Sequence, residues 1–144
     1  MKQILLIMIG LSTLVYAERF DRSIEGVVTD SITHLQWQDD YSDNSGTIKS
    51  AAWTDAIDYC ESLPLDGGGW RLPNLNELTS LVDDRVYGPS ISPVFLNTAS
   101  SGYWSSTTHE RYEDRAWSVL FVNGRQFHSS KTDSLPVRCV RAGQ

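Results

Sequence analysis

Residues 70–78, with the sequence WRLPNLNEL, constrain the fold of this chain more than any other segment. Pro73 disfavours helical geometry in the residue before it, which indicates that an extended segment ends there. Asn74 stands three residues before Glu77, the spacing of a capping box, in which each side chain hydrogen-bonds to the other residue's backbone N–H. Apolar residues then recur at helical spacing at Leu75, Leu78, Leu81 and Val82. The segment therefore predicts a turn into a helix with one buried face.

The N-terminus has the pattern of a secretory leader. Lys2 precedes an apolar run over residues 4–14, and Val15 and Ala17 stand at the two positions that a signal peptidase reads. We expect a signal peptide over residues 1–17 and a secreted, periplasmic or cell-surface protein. The apolar run is shorter than the roughly 20 residues of a membrane-spanning helix, so we expect no membrane span after cleavage; a retained anchor is the alternative.

Residues 18–144 have the length of a single domain. The formal net charge is −6, and removal of Lys2 with the leader makes it more negative. Binding to a phosphate backbone needs clustered lysine and arginine, so this charge argues against a nucleic-acid partner and weakens the case for anionic glycans.

The two cysteines, Cys60 and Cys139, predict one disulfide, because an even pair in an exported chain usually forms a bridge. The alternative is a reactive thiol or a metal ligand. Neither cysteine belongs to a C-x-x-C motif or has a histidine at ligand spacing, which disfavours that alternative.

The first half of the chain predicts a hairpin followed by a helix. Turn formers between β-branched and aromatic residues predict strands over residues 26–29 and 35–38. The acidic residues 39–46 predict a flexible loop. Ser50 is the expected cap of a helix that ends near Ser62, whose apolar face carries Trp53, Ala56, Ile57 and Cys60.

The second half predicts an irregular stretch and then strands. Residues 83–102 contain glycine and prolines that break every periodicity, and long irregular loops commonly carry binding surfaces. Asn123-Gly124 is typical of a two-residue type I′ turn, which would pair Leu120 with Phe127 and Val119 with His128. Strands are expected over residues 103–107, 117–122, 125–129 and 137–141.

Several of these segments resemble the DUF1566 family, the C-terminal domain of the Legionella collagen-like adhesin. The family's W-R-L-P-N-x-x-E-L is matched at residues 70–78, its Y-W-S-S-T at residues 103–107 and its V-R-C-V-R at residues 137–141. Its opening T-D-x-x-T-G-L-x-W-Q is matched from Thr29, except that His34 stands where the family usually has glycine. A further match is A-x-x-Y-C at residues 56–60.

The resemblance implies an α+β fold, a C-type-lectin-like domain in which two helices pack on a small, mainly antiparallel twisted sheet with long irregular loops. It also implies the disulfide between the first helix and the last strand. Some members have an adhesin-like role, which further implies a homo-oligomer such as a trimer. The resemblance fixes no ligand.

Catalytic signatures are weak in this sequence. The three histidines, His34, His109 and His128, are far apart and form no ligand-spaced pair, and no G-x-S-x-G surrounds a serine. The calcium-dependent sugar motifs E-P-N, Q-P-D and W-N-D do not occur, and residues 39–46 lack the EF-hand spacing. We therefore expect no enzymatic activity, no metal and no cofactor; a small exported enzyme and a structural subunit of an envelope assembly are the alternatives.

Recognition or adhesion is the function that these features favour, with a glycan or a surface protein as the ligand. Trp37, Trp53, Trp70 and Trp117 lie in periodic or motif positions and are expected in the core. The ligand surface is expected on the loops between about residue 87 and residue 115. The candidate residues there are Tyr87, Asn97, Tyr103, Trp104, Glu110, Arg111, Tyr112 and Arg115.

Overall fold

The computed structural model describes residues 18–143. The expected signal peptide, residues 1–17, lies outside the described residues. Within residues 18–143, no helix has the length and the apolar character that crossing a bilayer requires. The elements of this range are β1 (Phe20–Ile24), β2 (Val27–Asp30), β3 (Leu35–Gln38), β4 (Ser50–Ala51), α1 (Trp53–Ser62), α2 (Leu75–Thr79), β5 (Gly102–Thr108), β6 (Arg115–Leu120), β7 (Arg125–Ser130), β8 (Leu135–Pro136) and β9 (Val140–Ala142).

The strands of the described residues form three antiparallel sheets. Their orders are β1-β2-β3-β9, β4-β8 and β5-β6-β7, so the last strand closes a sheet that the first three begin. Two helices with antiparallel sheets and one disulfide confirm the α+β class. The C-type-lectin-like identity stays a prediction.

Apolar side chains pack in two clusters on opposite faces of these sheets. Val27 belongs to the cluster beside α1, whereas its neighbour Val28 belongs to the cluster beside α2. Trp104 and Tyr103 divide between the two clusters in the same way. Consecutive strand residues point to opposite faces, so sheets covered on both sides need apolar residues at adjacent positions.

The predicted disulfide between Cys60 and Cys139 is confirmed, and both cysteines are fully buried. Cys60 lies on α1. Cys139 lies immediately before β9 and not within it, because β9 begins at Val140. The bridge joins residues 79 positions apart and therefore ties α1 to the segment that leads into β9 of the first sheet.

The capping box at the start of α2 is also confirmed. The Asn74 side chain accepts a hydrogen bond of 2.8 Å from the Glu77 N–H, and the Glu77 carboxylate accepts one of 2.9 Å from the Asn74 N–H. Glu77 also forms a two-pronged ion pair with Arg71, which together with the Asn74 N–H lowers the pKa of its carboxyl group even though partial burial opposes that shift. The charged carboxylate thus stabilises the first turn of the helix.

The expected start of α1 is wrong by two residues, because the residue before the helix is Ala52 and not Ser50. Ser50 does not cap the helix: it lies in β4 and pairs with Pro136 of β8, while the backbone N–H of Trp53 donates to the Lys131 carbonyl. Pairing with this C-terminal segment therefore holds the chain extended up to Ala52, and α1 begins only after it. Strand β1 was not expected from the sequence at all.

The predicted hairpin exists, but its register is shifted by two residues. Phe127 pairs with Ser118 and His128 pairs with Trp117, in place of Leu120 and Val119. The loop spans residues 121–124 because Phe121 is buried and its N–H donates to the Ser101 carbonyl, which draws it out of the ladder. A shift of two residues keeps each side chain on its predicted face.

Candidate ligand-binding surface

The connection between β5 and β6 folds tightly over the end of the third sheet. His109 follows β5 directly, and its backbone N–H donates to the Arg115 carbonyl at 2.9 Å. The Arg115 N–H in turn donates to the Tyr112 carbonyl, also at 2.9 Å. These bonds bring the side chains of the connection above Trp117 of β6 and His128 of β7, which are direct cross-strand partners.

Four aromatic side chains meet at this end of the sheet, and we call them the surface cluster: His109, Tyr112, Trp117 and His128. The His109 ring stacks on the Trp117 indole with 4.8 Å between centroids, and it lies 5.0 Å from Tyr112 and 4.5 Å from His128. His109 is buried at the centre. Trp117 and His128 are half-buried, and Tyr112 is 51% exposed.

Hydrogen bonds fix the orientation of both imidazoles. The backbone N–H of Arg111 donates to His109 Nδ1 at 3.1 Å, and Arg115 Nη1 lies 3.1 Å from His128 Nδ1. Guanidinium and backbone N–H groups only donate, so both Nδ1 atoms are acceptors and each neutral ring carries its proton on Nε2. The Nε2–H of each ring forms no hydrogen bond with another described residue.

Glu110 supplies an acidic group at the rim of the surface cluster. Trp117 Nε1 donates to its carboxylate at 3.2 Å. A hydrogen bond from the backbone N–H of Glu110 itself and the one from Trp117 lower the pKa of this exposed carboxyl group. The rim therefore remains negatively charged in mild acid, beside the positive charges of Arg111 and Arg115.

The structure brings together four of the residues that the sequence proposed for ligand binding: Glu110, Arg111, Tyr112 and Arg115. Two other candidates, Tyr103 and Trp104, are fully buried and cannot contact a ligand. Tyr103 packs in the cluster beside α2, and its hydroxyl accepts the Ala99 N–H, whereas the Trp104 indole donates to the Ala51 carbonyl. Their motif is part of the core because both faces of β5 are covered.

Tyr87 lies away from the surface cluster although it is 87% exposed. The neighbouring Gly88 N–H donates to the Val122 carbonyl, which places Tyr87 at the turn end of the β6–β7 hairpin. The surface cluster lies at the opposite end, and a strand of six residues spans about 17 Å. The predicted segment therefore contains two separate exposed regions.

Asn97 has a structural role in a second cluster of charged and aromatic residues. We call Asp39, Phe95, Tyr103 and Arg138 the buried cluster. The Arg138 guanidinium lies 4.6 Å above the Phe95 ring and 5.8 Å from the Tyr103 ring, and its Nη2 is 3.3 Å from Asp39 Oδ1. Asn97 donates its side-chain amide to the Asp39 carbonyl at 2.8 Å.

Asp39 contradicts the expectation that residues 39–46 form a flexible loop. Its side chain is fully buried and pairs with both Arg22 and Arg138. It also accepts the backbone N–H groups of Leu96 and Asn97 at 2.8 and 3.1 Å. The carboxylate therefore fixes the irregular stretch before β5, because a buried charge needs this many partners to replace water.

Sequence reasoning missed three members of the surface cluster: His109, Trp117 and His128. Trp117 was expected in the core, but it is half-buried at the surface, and the two distant histidines are in ring contact. The correct hairpin register would have revealed the pair of Trp117 and His128. The Asn123-Gly124 pair indicated a two-residue turn. The loop has four residues, and its first residue, Phe121, is buried.

Two open clefts flank the irregular stretch. One, of about 430 Å³, is lined by charged groups that include Arg19, Asp84 and Arg85. The other, of about 400 Å³, is mainly apolar and is lined by Val86, Pro89, Ile91, Ser92, Pro93, Phe95, Leu96 and Thr98. Among residues 18–143, no group of three or more histidine, cysteine, aspartate or glutamate side chains is arranged to hold a metal ion.

Comparison with known protein families gives a match over most of the chain. Residues 26–141 match the model of a family described as the Lcl C-terminal domain. The matched region runs from the residue before β2 into β9, leaves out β1, and includes the surface cluster, the buried cluster and both cysteines. Among curated proteins, none shows significant similarity to the chain.

Proposed function

The chain belongs to the Lcl C-terminal domain family, and from that premise we propose that it is a non-catalytic recognition module that binds a surface glycan through the surface cluster. Membership of this family indicates a surface adhesion-associated module. The ligand and the residues that bind it are our proposal, as is a C-type-lectin-like origin of the fold.

The surface cluster carries this proposal because it joins exposed aromatic faces to oriented polar groups. A sugar ring has an apolar face of C–H groups and a rim of hydroxyls. Tyr112 and Trp117 offer rings on which such a face can stack, and aromatic contacts of this kind contribute roughly 0.5–1.5 kcal/mol beyond burial. Glu110 supplies an acceptor for the sugar hydroxyls, and Arg115 and the Nε2–H of the half-buried His128 supply donors.

The charge of the surface favours a neutral glycan over an anionic one. Arg111 and Arg115 are balanced by Glu110, Glu113 and Asp114 in the same connection, and the whole chain carries a formal charge of −6. Long-range attraction of a polyanion needs a surplus of positive charge at the site. Recognition here rests instead on stacking and short-range hydrogen bonds.

The same contacts support a binding role over a catalytic one. The Nδ1 atoms of His109 and His128 are engaged by Arg111 and Arg115, and the Glu110 carboxylate is engaged by Trp117. A histidine that activates a nucleophile must accept its proton at a ring nitrogen with a free lone pair, and the one acceptor nitrogen of each ring, Nδ1, already has a partner. These groups hold one another in fixed orientations, which supports a role in ligand recognition.

The family and the disulfide are compatible with an extracellular location. We propose that the leader directs export and is cleaved after Ala17. Intact-mass measurement of exported protein tests this proposal, and a mature chain that still contains residues 1–17 would contradict it.

A protein ligand is the second candidate, and the apolar cleft favours it. The cleft of about 400 Å³ is bordered by Leu96, which is 70% exposed, and Tyr87 stands near it at 87% exposure. Exposed aromatic and aliphatic side chains around a cleft commonly anchor protein partners. This region lies at the turn end of the hairpin, so mutations separate the two candidates.

The test is glycan capture by three alanine variants, two at the surface cluster and one control away from it. A glycan array identifies a bound glycan, and the affinity of Tyr112→Ala and Arg115→Ala for it is then compared with that of Tyr87→Ala. We expect each of the first two to weaken capture about tenfold, because each removes a contact worth roughly 1 kcal/mol or more. We expect Tyr87→Ala to bind normally and all three melting temperatures to stay close to the parent value.

Chelation with EDTA should leave glycan capture unchanged. Capture that needs calcium and maps to residues 39–43 would contradict the proposed chemistry. A captured protein whose binding depends on Tyr87 and Leu96, with no glycan bound at any position of the array, would favour the second candidate.

A further inference from the structure

Phe127 is an exposed aromatic side chain at the edge of the third sheet. It lies in the middle of β7, is 58% exposed and belongs to neither of the two apolar clusters. Among the described strands, β7 has a neighbour on one side only, because it pairs with β6 alone. Packing of the core therefore gives no reason for an aromatic side chain at this position.

The Phe127 ring turns around this edge toward the surface cluster. It stacks on the ring of His128, with 5.8 Å between centroids and 15° between planes. Side chains of consecutive strand residues point to opposite faces of a sheet, so these two rings stack only if both lean outward over the open edge. Phe127 thus reaches the surface cluster from the opposite face of the sheet.

His128 connects Phe127 with the rest of the surface cluster. Its ring lies 6.2 Å from the Tyr112 ring, with 32° between planes, and 5.5 Å from Trp117. The two most exposed rings of this region, Phe127 at 58% and Tyr112 at 51%, therefore both adjoin the same imidazole. The aromatic surface continues from the connection between β5 and β6, across β7 and over its edge.

Peptide groups of β7 add hydrogen-bonding positions along this surface. The Ser118 hydroxyl donates to the Phe127 carbonyl at 3.3 Å, so the peptide groups of Phe127 face β6. In an antiparallel ladder the neighbouring residues face the other way. The N–H and C=O groups of Gln126 and His128 therefore point to the open edge, where hydroxyl groups of a ligand can both donate and accept.

We propose that the glycan site of the surface cluster continues over the edge of β7 to Phe127, and that its ligand is a linear neutral glycan of at least two sugar units. One unit stacks at Tyr112 and another at Phe127. One sugar ring has about the size of one aromatic ring, and Tyr112 lies on the Trp117 face, whereas Phe127 comes from the other face. A single unit therefore cannot cover both rings. This inference rests on the proposed function.

A purely structural role for Phe127 predicts a different result. A ring that only holds His128 in place affects every ligand that uses the surface cluster, whatever the length of that ligand. A ring that binds its own sugar unit affects only those glycans that are long enough to reach it. The dependence of affinity on glycan length therefore separates a ligand contact from a support.

The test is NMR titration with the glycan captured on the array and with its fragments down to a single sugar unit. We expect the affinity of the parent protein to rise about tenfold from the shortest fragment to the longest. Phe127→Ala should bind the shortest fragment like the parent and lose this rise, whereas Tyr112→Ala should weaken binding at every length. Phe127→Tyr keeps the ring and should keep the rise. The control is Val122→Ala, because Val122 is 41% exposed but lies in the hairpin loop outside β7.

Amide chemical shifts from the same titration locate the added contact. The outward amide of Gln126 should shift with long glycans and not with a single unit, and the amide of Val122 should shift with neither. An affinity that does not depend on length would overturn this inference, as would a Phe127→Ala variant that keeps the rise or that loses affinity equally at every length. In these cases, dependence on Tyr112 would still support the proposed function. Absence of any bound glycan would overturn the proposed function and this inference with it.

Discussion

The buried cluster and the surface cluster are made of the same kinds of side chain. Arg138 lies above aromatic rings and pairs with Asp39 within the buried cluster, and Arg115 and Glu110 contact the aromatic rings of the surface cluster from its rim. Arg138 is 1% exposed, whereas Tyr112 of the surface cluster is 51% exposed. Access to water is therefore what separates the two arrangements.

The difference shows how to assign a role to such a cluster. A buried ion pair replaces its hydration with protein contacts, and the partners of Asp39 and Arg138 include the backbone of residues 96 and 97 and the Thr98 hydroxyl. The buried cluster thus holds a long irregular segment in place. The surface cluster holds no such segment, and the exposed Tyr112 ring and the half-buried Trp117 and His128 side chains remain open to a ligand.

Arg138→Ala should have the largest effect on stability. The substitution leaves Arg22 as the only charged partner of the buried Asp39 carboxylate, and loss of one partner of a buried pair costs about 3–5 kcal/mol. Urea denaturation measures the change in the free energy of unfolding. The matched control is Arg115→Ala, for which we expect less than about 1 kcal/mol. Equal losses for the two variants would break the distinction between the clusters.

Removal of the disulfide should have the next largest effect. The double substitution Cys60→Ala and Cys139→Ala should lower the free energy of unfolding by about 2–5 kcal/mol, since the bridge restricts the unfolded chain over 79 residues. Thermal unfolding with and without a reducing agent checks the same quantity. Ligand capture by the folded fraction should persist, because neither cysteine is near the surface cluster in the fold.

Asn74→Ala should lower the free energy of unfolding by less than the two preceding changes. The change removes one half of the capping box of α2 and should cost about 1 kcal/mol in urea denaturation. Ligand affinity should be unchanged. A large loss of affinity with the stability of the parent would instead assign Asn74 to a ligand site.

Local sequence signals predicted those parts of the fold that local chemistry determines. The capping box follows from Asn74 and Glu77 alone, and the disulfide follows from the count of cysteines and the expected compartment. The strands around residues 27–30 and 35–38 follow from turn formers between β-branched residues. In each case the interacting residues are close in sequence or have no alternative partner.

The errors occurred where distant segments decide the local structure. Lys131 and Pro136 set the start of α1, and Ser101 draws Phe121 out of the hairpin ladder. The surface cluster was only half predicted for the same reason. The sequence indicated an irregular polar connection that contains Glu110, Arg111, Tyr112 and Arg115. Its position beside Trp117 and His128 depends on the hairpin register, which was predicted wrongly because a two-residue turn was assumed.

The indole N–H signals of the five tryptophans give the most direct test of ligand binding at the surface cluster. In a nitrogen–proton correlation spectrum recorded with the captured glycan, we expect the Trp117 signal to shift. Trp53 is the matched control, since it is also half-buried but packs with the cluster beside α1, on the other face of the third sheet from Trp117. Its signal and those of the buried Trp70 and Trp104 should stay in place. A bound glycan that shifts Trp53 and leaves Trp117 unchanged would contradict the assignment of the site.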